Sequence, residues 1–144
     1  MTYAPTSSAS APTPQNLPDV SDPRTAPFWE AAREHRLVAQ KCDACGDLRY
    51  PASEICPRCW SDSQSWVPIA PTGELYSYVV YRRALAPSLK DEIPYVVGRV
   101  LTDDGVVFIV RLDVEPDEAR VGMRLMASWH DVTDAVTLLR FAAA

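Results

Sequence analysis

The sequence predicts a mainly β protein, with a short N-terminal helix, a zinc ribbon and then a five-stranded OB-fold barrel. Two Cys-x-x-Cys pairs lie in its first half, and short segments of aromatic and β-branched residues follow one another after Gly73. Only the segment before the first cysteine pair has helical spacing. We therefore divide the chain into a tail (1–23), a helix (24–36), a ribbon (37–70) and a barrel (71–144).

Length and charge restrict the classes of function. The 144 residues suffice for one domain or for two small modules that share a core. A formal net charge of -5 argues against a nucleic-acid partner, because phosphate binding normally uses a basic surface. No apolar run is long enough to cross a membrane, and the N-terminus lacks the pattern of a secretory signal. We therefore expect a cytoplasmic protein, where paired cysteines indicate a metal site or redox chemistry rather than structural disulfides.

The first residues of the chain predict a disordered tail followed by a short helix. Residues 1–23 are rich in Pro, Ser, Ala and Thr and have no periodicity. Thr25 can cap the helix, and Pro27 suits its first turn. Phe28 and Trp29 are adjacent, which leaves two interpretations open. Either one is core and the other half-exposed, or both anchor an interface.

The strands are predicted from alternation and from turn residues. A short strand, 37–41, leads into the first cysteine pair. Gly98 suggests a bulge or a bend within a barrel strand, and Asp103-Asp104-Gly105 indicates a tight hairpin turn. The five barrel strands are expected at 74–83, 95–102, 106–112, 124–130 and 136–141. Five short antiparallel strands are typical of an OB-fold.

The two Cys-x-x-Cys pairs predict one metal site with four thiolate ligands, Cys42, Cys45, Cys56 and Cys59. Each pair forms a tight knuckle, and two knuckles give tetrahedral coordination of structural zinc. A closed set of four ligands leaves no position for water or substrate, so the site supports folding rather than catalysis. A rubredoxin-like iron centre and two reversible disulfides are the alternatives.

The rest of the chain offers no catalytic arrangement that spacing would reveal. The sequence contains only two histidines, His35 and His130, and no Gly-x-Ser-x-Gly or phosphate-binding Gly loop. We interpret His130 as a hydrogen-bonded residue at the barrel rim. The sequence therefore predicts a protein that is non-catalytic by itself.

The order of these motifs resembles the DUF35 family. The features are Phe28-Trp29-Glu30 on a helix, a Cys-x-x-Cys-Gly knuckle followed by Tyr50-Pro51, a Cys-Pro-x-Cys knuckle, and a barrel that opens at Gly73-Glu74-Leu75-Tyr76. The Pro94-Tyr95-Val96-Val97-Gly98 segment is also similar, and the resemblance covers about residues 24–142.

The resemblance implies an accessory, acyl-CoA-binding scaffold subunit that assembles with a thiolase-fold enzyme, by default as an α2β2 heterotetramer. A lipid-transfer-protein-like aldolase acting on steroid side-chain CoA esters is the first expectation for that enzyme. A thiolase-like acyltransferase and a hydroxymethylglutaryl-CoA synthase complex are the alternatives. A MaoC-like hydratase is a further partner in the family's aldolase systems.

The loop after the first barrel strand is the expected substrate or partner face. An acyl-CoA has an apolar tail and a polyanionic nucleotide, so a helper subunit needs apolar loop residues and a few cations. We place this face on Phe28 and Trp29 of the helix and on six loop residues, Arg82, Arg83, Leu85, Leu89, Lys90 and Ile93. The alternative is that Arg82 and Arg83 form surface ion pairs with Asp91 and Glu92.

Two other classes of protein remain open from the sequence. Single-stranded nucleic-acid binders use OB-folds and zinc ribbons, and tyrosines on the first barrel strand could stack on bases. Tyr76 and Tyr78 are expected on one face of that strand and Tyr81 on the other, which gives an incomplete platform. A rubredoxin-like electron carrier is the remaining class.

Overall fold

The computed structural model describes residues 16–144, as one α-helix, a short 3-10 turn and eight strands. The predicted fold class is confirmed. The bounds are α1 Ala26–Arg33, β1 Val38–Cys42, β2 Leu48–Arg49, β3 Gln64–Pro68, β4 Thr72–Tyr81, a 3-10 turn Pro87–Leu89, β5 Tyr95–Thr102, β6 Val107–Asp113, β7 Arg124–Asp131 and β8 Thr137–Ala143.

The ribbon is a three-stranded antiparallel sheet in the order β2-β1-β3. Arg49 of β2 is buried, and its guanidinium donates to Gln40 Oε1 (2.7 Å), Gln64 Oε1 (2.7 Å) and the Ser53 carbonyl (3.1 Å). Gln40 Oε1 also accepts the Ser53 amide at 2.8 Å. Because a buried charge is costly unless it is hydrogen-bonded, this network fixes the three strands and the 50–53 loop relative to one another.

The barrel closes in the order β4-β5-β6-β8-β7. Its neighbouring strands pair antiparallel except β6 and β8, which are parallel and share only two residue pairs, Leu112 with Phe141 and Asp113 with Ala142. This short seam and the non-consecutive pairing of β4 with β7 close the sheet, while β4–β5, β5–β6 and β7–β8 pair as consecutive antiparallel strands, as in an OB-fold. All five barrel strands overlap the predicted segments, within a few residues at each end.

The bulge in the barrel is on β4 and not at Gly98. Leu75 pairs with Val100 and Ser77 with Arg99, so Tyr76 is the extra residue, while Gly98 pairs regularly with Tyr78 and Val110. Gly98 instead provides space inside the barrel, because a Cβ there would lie 2.7 Å from the Leu75 and Leu112 side chains.

The bulge also changes the faces on which the β4 tyrosines lie. An extra residue reverses the alternation, so Tyr76 is exposed while Tyr78 packs on the core and donates its hydroxyl to the Ala119 carbonyl at 3.0 Å. Tyr81 stacks on Tyr95 at 5.1 Å between ring centroids. The expectation that Tyr76 and Tyr78 share a face is therefore wrong.

Phe108 on β6 lies at the centre of the core. Its ring centroid is 6.5 Å from that of Phe28 on α1, 4.7 Å from that of Tyr50 in the ribbon and 6.3 Å from that of Phe141 on β8. The helix, ribbon and barrel therefore share one aromatic core rather than packing as separate modules.

The helix begins where expected, but Thr25 caps it without its side chain. Thr25 is the N-cap residue and makes no side-chain cap hydrogen bond. The Asp22 carbonyl accepts the Thr25 and Ala26 amides at 3.0 and 2.8 Å, and the Thr25 carbonyl accepts the Phe28 amide at 2.9 Å. A turn of backbone hydrogen bonds thus leads into the helix.

Residues 1–15 of the predicted tail lie outside the described residues. The remaining part, 16–23, contacts the fold, since Asn16 and Leu17 line a groove described below. Within residues 16–144, no helix combines the length and hydropathy that a transmembrane span requires.

Candidate functional site

The four predicted cysteines converge on one point. Their Sγ atoms all lie within 4.8 Å of one another, with Cys42 and Cys59 at 3.5 Å and Cys45 and Cys56 at 3.7 Å. Tetrahedral zinc with Zn–S bonds of about 2.3 Å places its sulfurs roughly 3.8 Å apart, so the four thiols fit a tetrathiolate metal site. All four are free cysteines.

Backbone hydrogen bonds shape each knuckle around the sulfurs. The Gly46 amide donates to the Cys42 carbonyl and the Trp60 amide to the Cys56 carbonyl, both at 2.9 Å. The residue after each Cys-x-x-Cys pair has a left-handed backbone, with φ of 78° at Gly46 and 68° at Trp60. The two knuckles are thus closed by the same backbone turn, once with Gly and once with Trp.

The first of these turns favours the thiolate form of Cys42. The Cys45 amide hydrogen-bonds to the Cys42 sulfur, which lowers the pKa of the Cys42 thiol to about 6. Since metals bind the deprotonated thiolate, the knuckle prepares this ligand for a cation.

A groove of about 710 Å³ lies between α1, the 82–94 loop, β6 and β8. Phe28 is 3% exposed and belongs to its floor, whereas Trp29 is half-buried. One aromatic of this pair is therefore core and the other reaches the surface. The side chains of the groove are mainly apolar, with a few polar or charged groups, and include Leu17, Phe28, Trp29, Tyr50, Leu85, Leu89, Glu92, Ile109, Arg111, His130, Leu138 and Arg140.

The groove unites half of the residues predicted for the substrate or partner face. Phe28, Trp29, Leu85 and Leu89 line it. Arg82, Arg83, Lys90 and Ile93 belong to the same loop but do not line the groove. Arg82, Arg83 and Lys90 are exposed beside it.

The predicted alternative, ion pairs from Arg82 and Arg83 to Asp91 and Glu92, does not form. Glu92 instead pairs with Arg111 of β6. No salt bridge joins Arg82, Arg83 or Lys90 to a carboxylate among residues 16–144, and residues 1–15 contain neither Asp nor Glu. The loop cations are thus available to an anionic ligand.

Sequence reasoning did not assign Arg111, His130 or Arg140 to the groove that they line. The Arg111 guanidinium lies 4.6 Å from the Tyr95 ring centroid, and Arg140 Nη1 lies 3.1 Å from Asp113 Oδ1. Arg111 interrupts the apolar run of β6, and this interruption was the sequence signal that could have indicated a functional residue there. The parallel register between β6 and β8, which the sequence does not reveal, brings Arg111 and Arg140 together.

The two histidines have different surroundings. His130 lines the groove. His35, with φ of 56°, stacks on Trp129 at 5.8 Å between ring centroids, and its Nε2 lies 3.0 Å from Asp131 Oδ1. His35 thus joins the end of α1 to β7.

Two family models match consecutive parts of the chain. Residues 29–64 match "ChsH2, rubredoxin-like zinc ribbon domain", and residues 66–130 match "ChsH2, C-terminal OB-fold domain". The first match contains all four cysteines, and the second contains β4 to β6 and most of β7.

Several proteins with curated descriptions are similar to this chain. A "Probable enoyl-CoA hydratase alpha subunit" of Thermomonospora curvata is 38% identical over 119 residues, which span 81% of this chain but only 37% of that protein. A "DUF35 domain-containing scaffold protein" of Pyrococcus furiosus is 32% identical over 68% of this chain and 72% of its own length. The "Benzoylsuccinyl-CoA thiolase subunit BbsA" of Thauera aromatica is 33% identical over 67 residues, 45% of this chain and 46% of that subunit.

One solved structure matches almost end to end. A chain of the "Ltp2-ChsH2(DUF35) aldolase" superposes with a TM-score of 0.77 at 33% identity, covering 88% of this chain and 98% of that chain. Sequence and fold agree over both the ribbon and the barrel, and this chain therefore belongs to the DUF35 family.

Proposed function

We propose that this chain is the accessory subunit of a thiolase-fold enzyme that acts on acyl-CoA esters, and that it is non-catalytic by itself. The similarity to ChsH2 carries this proposal, because it extends over 98% of that chain, which belongs to an aldolase complex. The Thauera aromatica relative is named as a thiolase subunit, and the Pyrococcus furiosus relative as a scaffold protein.

The groove is the part of the chain that we assign to the acyl-CoA ester. Ligand sites are mostly apolar concavities with a few polar groups, and this groove combines Trp29, Leu85 and Leu89 with Arg111 and His130. The exposed loop cations Arg82, Arg83 and Lys90 stand beside it, where a phosphate of CoA would meet positive charge. The thiolase-fold partner covers the groove and supplies the catalytic groups.

The metal of the ribbon is zinc in this proposal, one ion per chain. Four thiolates in a closed set fit structural zinc, and the ribbon model that matches residues 29–64 is described as a zinc ribbon. When bound, zinc crosslinks the two knuckles and contributes folding free energy. An absorption spectrum separates it from iron, since iron in the same cage is coloured and zinc is not.

Among thiolase-fold partners, we propose an aldolase acting on steroid side-chain CoA esters, in an α2β2 complex. The ChsH2 similarity favours an aldolase over the acyltransferase and hydroxymethylglutaryl-CoA synthase alternatives. The BbsA similarity favours a second candidate, a thiolytic partner.

Reconstitution tests the proposal. The chain is co-expressed with a thiolase-fold protein from the same genome, and the purified complex is measured by light scattering and assayed with a steroid side-chain CoA ester. We expect a stable heterocomplex whose retro-aldol activity is lost when this chain is omitted. Failure to co-purify, or full activity of the partner alone, would overturn the accessory role.

The loop cations provide a finer prediction. Replacing Arg82, Arg83 and Lys90 together by Ala should raise the Kd of the complex for the CoA ester about tenfold, because each exposed cation contributes about 0.5 kcal/mol to binding a phosphate. The thermal unfolding temperature should stay unchanged, since these side chains form no ion pair within residues 16–144. The effect should shrink in high salt.

A matched control uses cations that are already paired. Arg36 is exposed and pairs with Glu34, so Arg36→Ala should leave ester affinity unchanged. Unchanged affinity in the triple variant would remove the three cations from the ligand site.

A further inference from the structure

Trp60 is the most exposed large hydrophobic residue among residues 16–144, with 82% of its surface accessible. It directly follows Cys59 and has a left-handed backbone, with φ of 68°. This conformation is unfavourable for a bulky side chain and costs nothing for Gly. The first knuckle has Gly46 at the corresponding place, with φ of 78°.

The fold therefore gives no reason for Trp at position 60. The indole buries little surface within this chain, and the backbone turn would form more readily with Gly. Ile55, on the other side of the same knuckle, is also exposed, at 52%. Two backbone hydrogen bonds hold the ends of the knuckle together. The Trp60 amide donates to the Cys56 carbonyl (2.9 Å), and the Cys56 amide donates to the Ser61 carbonyl (2.8 Å).

The surroundings of this apolar pair are negatively charged. The knuckle segments 43–47 and 54–63 contain four acidic residues, Asp43, Asp47, Glu54 and Asp62, and one basic residue, Arg58. Arg58 pairs with Asp47 at 3.4 Å and Arg24 approaches Glu54 at 3.7 Å, while Asp43 and Asp62 have no cation within 4 Å among the described residues. We call Ile55, Trp60 and these acids the knuckle tip.

We infer that the knuckle tip is a protein-docking anchor, whose Trp60 indole inserts into an apolar pocket with a basic rim on the enzyme subunit. The inference deepens the proposed function and rests on it. Trp is the residue most enriched among those that dominate binding energy at protein interfaces. The negative charge of the tip disfavours anionic membranes and nucleic acids and complements a basic rim. Because the hydrogen-bonded knuckle already fixes the backbone at position 60, docking costs little additional backbone conformational entropy.

The test is Trp60→Gly, a substitution that should separate binding from folding. Gly suits the left-handed backbone, so the thermal unfolding temperature should be equal or higher, and the zinc content should stay at one ion per chain. The Kd for the purified thiolase-fold partner should rise about 30-fold, as expected for a dominant aromatic anchor. Trp60→Phe keeps an aromatic anchor and should stay within a few-fold of the wild type.

Two further variants keep the test decisive. Trp60→Asn also tolerates the left-handed backbone and replaces the Gly variant if the latter unfolds. Asp62→Lys should weaken binding at low salt and much less at high salt, because it opposes a basic rim.

The outcomes distinguish this inference from the proposed function. If the wild-type chain binds the partner and Trp60→Gly binds equally well, the anchor is wrong and the accessory role stands. If the wild type forms no complex, the accessory role fails and the anchor fails with it. A dimer of this chain alone that dissociates in the Trp60→Gly variant would assign the tip to a second copy and overturn the inference.

Discussion

Cys42→Ser should abolish both metal binding and the native fold of the ribbon. Cys42 is fully buried, ends β1 and lies 3.5 Å from Cys59 Sγ, so its loss opens the closed ligand set. Zinc binding to such sites contributes about 10–16 kcal/mol of apparent free energy. The whole stability of a domain is only about 5–15 kcal/mol. The remaining three thiolates therefore cannot keep the ribbon folded.

The measurements are zinc content by mass spectrometry, thermal unfolding and co-purification with the partner. We expect zinc binding, wild-type thermal stability and co-purification with the partner to be lost together. A chelator added to the wild-type chain should cause the same three losses. Ala44→Ser is the matched control, because residue 44 is exposed in the same knuckle and is not a ligand. A metal-free Cys42→Ser variant that unfolds at the wild-type temperature and still binds its partner would refute a structural role for the site.

Phe108→Ala should destabilise the chain by about 3–5 kcal/mol, the usual cost of removing a fully buried aromatic ring. The ring lies between Phe28, Tyr50 and Phe141, so the cavity opens where helix, ribbon and barrel meet. Phe28 and Tyr50 also line the groove. Their loosened packing should weaken ester binding by the complex even where the variant is still folded.

Urea unfolding of Phe108→Ala and wild type measures the difference in free energy. Ile109→Ala is the control from the next position of β6, where the side chain is 73% exposed, and its effect should stay within about 0.5 kcal/mol. Equal effects of the two substitutions would show that the aromatic core does not join the three parts of the fold.

The metal site and the fold class were accessible from sequence because both depend on local spacing. Cys-x-x-Cys fixes the geometry of a knuckle within four residues, and alternation fixes a strand within about eight. The sequence left two interpretations of Phe28 and Trp29 open, and the structure matches the first, with Phe28 in the core and Trp29 half-buried.

The strand faces, groove residues and ion pairs that sequence reasoning missed depend on strand register, which a single sequence does not reveal. Tyr76 was placed on the wrong face because the β4 bulge inserts one residue and reverses the alternation. Arg111 and Arg140 were missed because they become neighbours only through the pairing of β6 with β8. Ion pairs also depend on how the strands pair. Glu92 therefore binds Arg111, which is 19 positions away in the sequence, rather than the nearby Arg82 or Arg83.

The two-pair seam between β6 and β8 has a consequence for the groove. Before Leu112, the edge of β6 that faces β8 has no strand partner in the described chain, and before Phe141 β8 pairs only with β7. The groove therefore lies along the stretch where β6 and β8 are not paired with each other, and some peptide N–H and C=O groups there have no strand partner. Side-chain substitutions cannot remove these groups. A ligand that hydrogen-bonds to them would keep part of its binding energy in every point variant of the groove.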